Sequence, residues 1–135
     1  MGKLGARTRR LDDSKAVNAR VLGLHAAHIS SLTRYVEAQS RPGESLPYFD
    51  PLDGGVHASM LVLLERPARH PMRPRFVSRD NPGPAQQNLK RFLLEANVPR
   101  KMTVLWNLIP WLPPDDHPVS SVRRADIEAI VWKVR

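Results

Sequence analysis

The sequence predicts an α/β fold with a parallel sheet, and three observations in the middle of the chain carry that prediction. Two short apolar runs, residues 60–64 and 103–106, each end abruptly at a polar residue. A segment with helical periodicity separates them, as in a strand–helix–strand unit. Ligands of open parallel sheets bind just beyond the carboxyl ends of the strands. We therefore expect Glu65, Phe76 and Asn107 to contribute to one shared site.

Length and composition are those of one ordinary globular domain. The chain has 135 residues, of which 41% are hydrophobic and 25% are charged, which suffices for a single core. Its 13 prolines indicate long, stiff loops. A net charge of +8 and a sequence pI near 10.8 favour an anionic partner, with nucleic acid before an acidic membrane surface.

Several classes of protein are excluded by what the sequence lacks. It contains no cysteine, which excludes disulfides, thiolate catalysis, cysteine-ligated zinc and iron–sulfur clusters. The histidines do not show the spacing of metal ligands. No apolar core of a signal peptide follows the basic start, and no apolar run is long enough to cross a bilayer. We therefore expect a cytoplasmic protein without a metal.

The N-terminal third is predicted to hold a tail and one helix. Residues 1–12 are basic and aperiodic, which predicts a flexible tail. Apolar side chains then recur every three or four positions from residue 13 to about residue 39, which predicts one amphipathic helix packed on a sheet. Asp12 or Asp13 can cap its start. His28 falls on the apolar face, so we expect a packed core histidine.

Later segments predict a turn, a buried strand and two more helices. Residues 53–55, Asp-Gly-Gly, allow the positive φ of a tight turn. Residues 60–64 are apolar without alternation, which is typical of a strand buried on both faces. Residues 84–96 form a helix that begins with a proline, and a last helix begins near residue 120.

Two visible strands are few for a parallel sheet. Because one face and one edge would stay uncovered, either short strands are hidden in the loops or the chain is a fragment, and we expect the fragment. Residues 67–83 form a long loop without periodicity. Loops of this length in compact domains are usually functional or disordered.

Four short segments between residues 47 and 111 follow one another in a recognisable order. They are the loop YFDPLDGG, an apolar strand that ends in Glu-Arg-Pro, the loop FVSRDNPGP and the strand VLWNLIPW. In order and spacing they resemble the uracil-DNA glycosylase superfamily, and more narrowly its bacterial members whose first motif is Gly-Glu-Ala-Pro-Gly. The resemblance covers about half of the chain.

The resemblance implies a fold, an activity and a partner. The fold is a three-layer α/β/α sandwich with a central parallel sheet, here a single domain over residues 13–135 that is incomplete at its C-terminal end. The activity is DNA repair by hydrolysis of the N-glycosidic bond of a uracil flipped out of DNA. The partner is uracil-containing DNA, bound by a monomer that uses no cofactor and contacts no membrane.

The functional residues of the family can be placed on three positions of this chain. Glu65 falls on the glutamate of the first motif, Phe76 on the aromatic residue that stacks on the extruded base, and Asn107 on the asparagine that reads the edge of uracil. Arg66 and Ala68 stand where the family has alanine and glycine, so the first motif is degraded. The cysteines that hold an iron–sulfur cluster in some bacterial members are absent, so no cluster is expected.

Each assignment has a chemical reason and a structural alternative. A carboxylate near the sugar can orient water and stabilise an oxocarbenium-like transition state. Glu65 is the best placed, with Asp80 and Asp50 as the alternatives in the loops, but Glu65 can also pair with a nearby arginine. The amide of Asn107 can donate to uracil O4 and accept from N3–H, whereas cytosine presents the reverse pattern; the alternative is a strand-end cap. Phe76 can stack on a base, worth about 1–3 kcal/mol, or anchor the core.

The arginines that follow the first strand are assigned to the DNA backbone. They would suit the phosphates that flank a flipped nucleotide, and a solvated loop is the competing interpretation. The four arginines are Arg69, Arg73, Arg75 and Arg79.

The second motif of the family, a His-Pro-Ser loop after the last strand, is missing from its expected place. Residues 117–120, His-Pro-Val-Ser, mimic it but follow the second strand too closely to be its equivalent. We therefore predict weak or absent glycosylase activity. A non-catalytic basic protein that binds nucleic acid is the second hypothesis, and a poorly folded remnant is the third.

Overall fold

The chain forms helices and short parallel strands, which confirms a mixed α/β fold. The computed structural model describes residues 10–67, 69, 72–114 and 124–133. In chain order the helices and strands are α1 (Ser14–Leu22), α2 (Ser30–Ala38), β1 (Tyr48–Phe49), β2 (Met60–Leu64), β3 (Phe76–Val77), α3 (Pro84–Glu95), β4 (Thr103–Asn107) and α4 (Arg124–Lys133).

The predicted strand–helix–strand unit is present, with α3 in the connection between β2 and β4. The two strands run parallel in a register that pairs Met60 with Thr103 and Leu64 with Asn107. The ladder continues beyond the strands, because Leu108 N donates to Leu64 O over 2.7 Å. Leu64 and Asn107 therefore lie side by side at the carboxyl end of the pair.

Two further strands lie inside segments that show no strand pattern in the sequence. β1 and β3 pair in parallel, Tyr48 with Phe76 and Phe49 with Val77. Both strands contact β4, but the hydrogen bonds of the described residues form two separate two-stranded sheets, β1–β3 and β2–β4. The structure therefore shows strands hidden in the loops, one of the two alternatives above. Strands of two residues are too short to have a periodicity.

The helix predicted from residue 13 to about residue 39 is in fact two helices, because α1 ends at Gly23. The amide of Gly23 donates to carbonyl groups of the last turn of α1. A side chain there would collide with Pro51, since an added Cβ would lie 2.7 Å from the Cβ of that proline. Asp13 caps the start of α1, as predicted, by accepting from Lys15 N over 2.9 Å. The spacing of apolar side chains continues from α1 into α2, so the sequence pattern does not show that the helix is interrupted between them.

Two small apolar clusters hold the helices against the strands. The first contains Leu11, Ala16, Val17, Leu24 and Phe76, and the second contains Ile29, Val36 and Phe49. Trp106 of β4 packs against the second cluster, with its ring stacked on that of Phe49 at a centroid distance of 4.1 Å. Leu11, which the sequence assigns to the tail, is buried and its amide donates to Asp80 O over 2.9 Å. The folded part therefore includes residue 11.

The turn at residues 53–55 approaches the α1–α2 connection so closely that only glycine fits. Gly55 has a φ of +57°, as the sequence predicts for this turn, and a Cβ there would lie 2.0 Å from His28 O. The approach allows Val56 N to donate to that carbonyl over 2.9 Å. His28, predicted to be a core histidine, is half-buried and belongs to neither apolar cluster, and its Nε2 lies 2.7 Å from Pro51 O.

Replacing Gly55 with alanine is expected to lower the free energy of unfolding by about 2–3 kcal/mol, because the methyl group adds backbone strain and a collision with a carbonyl. Gly43→Ala is the matched control. Its φ is +76°, but nothing lies within 4 Å of an added Cβ, so we expect a loss of about 1 kcal/mol. Urea denaturation of both variants gives the two values. Equal losses would contradict the importance of the close approach.

The predicted burial of β2 on both faces is wrong. Leu61 is 60% exposed, Leu63 is 51% exposed, and Met60 is exposed as well. Among the described residues, β4 is the only strand that is hydrogen-bonded to β2. A continuous apolar run indicates that both faces of a strand could be buried. It does not show that another element of the fold covers those faces.

Candidate functional site

A small pocket lies at the carboxyl ends of β2, β3 and β4, where the sequence predicts the shared site. Leu64 ends β2, Phe76 lies in β3, and Asn107 ends β4. This end of a parallel sheet is the usual place for a ligand. The residues that line the pocket are Leu64, Arg66, Pro67, Phe76, Val77, Ser78, Asn81, Gln86 and Asn107.

Asn107 brings a buried amide to the pocket. Its register opposite Leu64 fixes the strand end, and its side chain is buried, with the residue only 2% exposed. Its Oδ1 has no hydrogen-bond partner among the described residues. A buried oxygen without a partner costs about 1–3 kcal/mol. Such atoms are rare in native proteins and mark places where a ligand or an ordered water binds.

Asn81 is a second buried amide in the same pocket, and the sequence analysis did not identify it. The residue is 5% exposed, and its Nδ2 donates to Phe76 O over 2.8 Å. Its Oδ1 also lacks a partner within the described part of the chain. Its position before a proline in the FVSRDNPGP segment was the available signal, but that position also fits an ordinary turn residue.

Phe76 lies between the core and the pocket. It is 2% exposed and belongs to the cluster that contains Leu11 and Val17. Its ring lies 6.2 Å from that of Tyr48, at an angle of 44°. Phe76 therefore anchors the core, which is the structural alternative given above, and it also lines the pocket.

Glu65 and Arg66 follow β2, but only Arg66 lines the pocket. Glu65 is exposed, and its carbonyl accepts from Ile109 N over 3.0 Å. The arginine has Nη2 3.4 Å from Asp126 Oδ2, and its Nε is buried without a partner among the described residues. Arg66 thus places a hydrogen-bond donor at the pocket.

The pocket is narrow in this conformation. Its empty volume is about 200 Å³, but only about 10 Å³ can be occupied by the centre of a water molecule. That space corresponds to a single water, so a base enters only when lining side chains move. Gln86 and Arg66 are the long, partly exposed side chains at the pocket.

Ser78 connects the pocket to a buried ion network. It lines the pocket and its hydroxyl donates to Asp50. Arg100 joins the carboxylates of the network, with Nη2 2.7 Å from Asp50 Oδ2 and Nε 2.8 Å from Asp53 Oδ1. The carboxylates are Asp50, Asp53 and Asp80, and the cations are Arg20, Arg79, Lys90 and Arg100.

Asp80, the alternative catalytic carboxylate, lies in this network and not at the pocket. Its Oδ1 accepts from Lys90 over 2.7 Å, and its Oδ2 accepts from Arg20 over 2.6 Å and from Arg100 over 2.8 Å. Burial favours the neutral acid, but Arg100 and Lys90 outweigh it and lower the pKa of Asp80. Both carboxylate oxygens of Asp80 accept hydrogen bonds from cations, so Asp80 has a structural role in the network.

Two of the four arginines assigned to the DNA backbone are buried. Arg79 donates to Thr103 Oγ1 and lies 3.6 Å from Asp53 Oδ1. Arg75 donates to Ser45 Oγ over 3.1 Å. Neither guanidinium reaches a phosphate in this arrangement, because both residues are at most 5% exposed.

The other two arginines of that set lie nearer the surface. Arg69 donates to Pro114 O over 3.0 Å and to Pro113 O over 3.2 Å. Arg73 is exposed. These two side chains are therefore accessible enough to contact a phosphate. Residues 117–120, which mimic the second motif, and Ala68 of the first motif lie outside the described residues.

Asp53 has the most perturbed titration in the network. Burial, reinforced by the neighbouring charge of Asp50, raises the pKa of Asp53 to about 7 against the opposing effect of Arg100 and Arg79. Its Oδ2 has no partner among the described residues and is the oxygen available for the proton.

The raised pKa makes the folded protein bind more protons than the unfolded chain between about pH 4 and pH 7. The contribution of Asp53 to stability is therefore present below pH 4 and is lost as the pH rises through 7. Its slope is at most about 1.4 kcal/mol per pH unit. In Asp53→Asn this loss disappears, so the difference in unfolding free energy between the variant and the wild type should change across this range. Urea denaturation from pH 4.5 to 7.5 tests this, and a constant difference would contradict it.

No known protein family, curated protein or solved structure matches this chain. Among the described residues, no group of three histidine, aspartate or glutamate side chains is arranged to hold a metal ion. The helices of the described part are all too short or too polar to span a bilayer. The geometry of the pocket is therefore the main evidence on function.

Proposed function

We propose that this protein is a uracil-DNA glycosylase-like DNA repair protein, which binds a flipped-out uracil in the pocket at the carboxyl ends of β2, β3 and β4. The unpartnered, buried Oδ1 of Asn107 is the observation that carries the proposal. Phe76 and Asn107 are 31 positions apart in the sequence, yet they line the same pocket. Their shared position supports the proposal, because the two residues belong to two of the motifs that resemble the uracil-DNA glycosylase superfamily.

The chemistry of recognition follows from the amide of Asn107. Uracil offers an N–H at N3 beside an acceptor at O4, and one carboxamide can pair with both. Cytosine would place its N3 lone pair against the amide oxygen, which leaves buried groups unpaired. A site built in this way rejects the wrong base by the cost of those unpaired groups.

Hydrolysis, in this proposal, depends on Glu65. A water oriented by its carboxylate attacks the anomeric carbon as the bond to the base breaks, and the negative charge stabilises the oxocarbenium-like sugar. The base leaves as an anion with the bonding electrons, and the proton that the water loses passes to the carboxylate of Glu65. Glu65 is exposed beside the pocket, so bound DNA would have to bury it. Because Asp80 is committed to the ion network, we expect the activity to be weak.

The finer features of the fold and the DNA contacts belong to the same proposal. We infer a three-layer α/β/α arrangement, a monomer and a cytoplasmic location. Arg69 and Arg73 are our candidates for binding the phosphates beside the flipped nucleotide, because the other two arginines of the set, Arg75 and Arg79, are buried. A net charge of +8 would support DNA binding at low salt.

A non-catalytic nucleic-acid-binding protein is the second candidate. The observation that favours it is the commitment of Asp80 to three cations. Of the two carboxylates assigned to catalysis, only the exposed Glu65 is then left for the chemistry at the pocket. This candidate predicts salt-sensitive binding of DNA without a preference for uracil.

Competition binding separates the two candidates. Two single-stranded oligonucleotides of identical sequence, one with a central uracil and one with thymine, compete for the protein. We expect the uracil strand to bind about tenfold more tightly, because the methyl group of thymine crowds a narrow pocket. Equal affinity would favour the non-catalytic candidate. Release of free uracil from the first strand, followed over hours, measures the weak hydrolysis.

A further inference from the structure

Asn81 lines the pocket, and the orientation of its side-chain amide is fixed by one hydrogen bond. Its Nδ2 donates to Phe76 O over 2.8 Å, and a carbonyl can accept only from the NH₂ end of the amide. The Oδ1 must therefore occupy the other position, where it is buried without a partner among the described residues. No such bond orients the side chain of Asn107 in the described part of the structure.

Within the described part of the chain, three buried polar atoms without a hydrogen-bond partner belong to residues that line the pocket. Two are acceptors, Asn81 Oδ1 and Asn107 Oδ1. The third is a donor, the Nε–H of Arg66. A ligand that satisfies all three needs two hydrogen-bond donors and one acceptor. A cyclic ureide has these groups in one planar ring.

We propose that the pocket binds the free base as a cyclic ureide, with Asn81 Oδ1 and Asn107 Oδ1 accepting its two N–H groups and Arg66 Nε donating to a ring carbonyl. The inference rests on the proposed function, since it takes the pocket as a base site. It goes further by making Asn81 and Arg66 specificity-determining residues.

The pocket is expected to bind free uracil more tightly than uracil that is still attached to DNA. Uracil in DNA carries its sugar on N1 and has one N–H, at N3, whereas released uracil has two. Two acceptor oxygens therefore match the released base better than the base in DNA. We expect the protein to retain free uracil and to be inhibited by it, because the second N–H becomes available only when the bond to the sugar is broken.

A ligand series on the unaltered protein tests the proposal without a folding risk. The ligands are uracil, 1-methyluracil, 3-methyluracil and 1,3-dimethyluracil, each titrated and followed by NMR. We expect each monomethyl derivative to bind about tenfold more weakly than uracil, and the dimethyl derivative about a hundredfold more weakly. Equal binding of uracil and the dimethyl derivative would overturn the proposal, and so would failure of uracil to bind.

Asn81→Leu then assigns one of the two N–H groups. We expect uracil to bind the variant about tenfold more weakly, and one of the two monomethyl derivatives to lose its penalty relative to uracil. Asn88→Leu, an exposed position on α3, is the matched control and should keep the wild-type pattern. An unchanged pattern in Asn81→Leu would overturn the proposal.

The outcomes for DNA and for free base can be told apart. If the protein prefers uracil strands but does not distinguish the methylated bases, this inference fails and the proposed function stands. If the methylated bases are distinguished but uracil and thymine strands bind equally, the inference is supported and the proposed function fails.

Discussion

Replacing Arg100 with methionine is expected to lower the free energy of unfolding by about 3–5 kcal/mol. Arg100 donates to Asp50, Asp53 and Asp80 over 2.7 to 2.8 Å, and burial of its charge is outweighed by the three carboxylates, which raise the pKa of Arg100. Without it, three almost fully buried carboxylates lose a shared partner. Urea denaturation at pH 7 measures the loss.

Arg91 provides the control for this prediction. It lies on α3 with Nε 4.0 Å from Glu95 Oε1, and both side chains are more than 60% exposed. Arg91→Met should therefore cost less than about 0.5 kcal/mol. We expect Arg100→Lys to recover only part of the loss, because one ammonium group cannot reproduce the forked geometry of a guanidinium. A loss in Arg100→Met no larger than in Arg91→Met would show that the network does not stabilise the fold.

Asn107→Leu is expected to abolish the preference for uracil without weakening the fold. The variant removes the amide that pairs with uracil, so the preference for uracil over cytosine strands should fall by about a hundredfold. It also removes a buried oxygen that has no partner among the described residues. We therefore expect the free energy of unfolding to stay the same or to rise by up to about 1 kcal/mol.

Asn107→Asp separates the two hydrogen bonds. The aspartate accepts from uracil N3–H, but it cannot donate to O4, so we expect an intermediate loss of preference. Competition binding with uracil and cytosine strands gives the preference, and urea denaturation gives the stability. A large loss of stability in Asn107→Leu would assign this residue to the structure of the strand end and not to recognition.

The parts of the fold that depend on local patterns were predictable. The apolar runs around β2 and β4 and the helical period between them predict the parallel pair. The rule on strand ends then predicts one site for Glu65, Phe76 and Asn107, of which Phe76 and Asn107 line the pocket and Glu65 does not. Gly55 has its positive φ because the Asp-Gly-Gly turn requires it. These features depend on residues that are close in sequence or on the general geometry of sheets.

The parts that depend on distant partners were not predictable. Arg20 and Asp80 are 60 positions apart, and a charged residue in a basic loop gives no sign that it is buried. The same is true of Arg79, which the sequence presents as a solvated cation. The exposure of Leu61 could not be foreseen either, because an apolar run carries no information on whether another element covers it.

The central claim is that the amides of Asn81 and Asn107 face the base. It is tested most directly by the side-chain NH₂ signals of these two residues in ¹H–¹⁵N NMR spectra, recorded with uracil, thymine and cytosine strands. We predict that both signals shift with the uracil strand and shift little with the cytosine strand. Equal shifts with all three strands, or no shift at either residue, would contradict the assignment of this pocket as a uracil site.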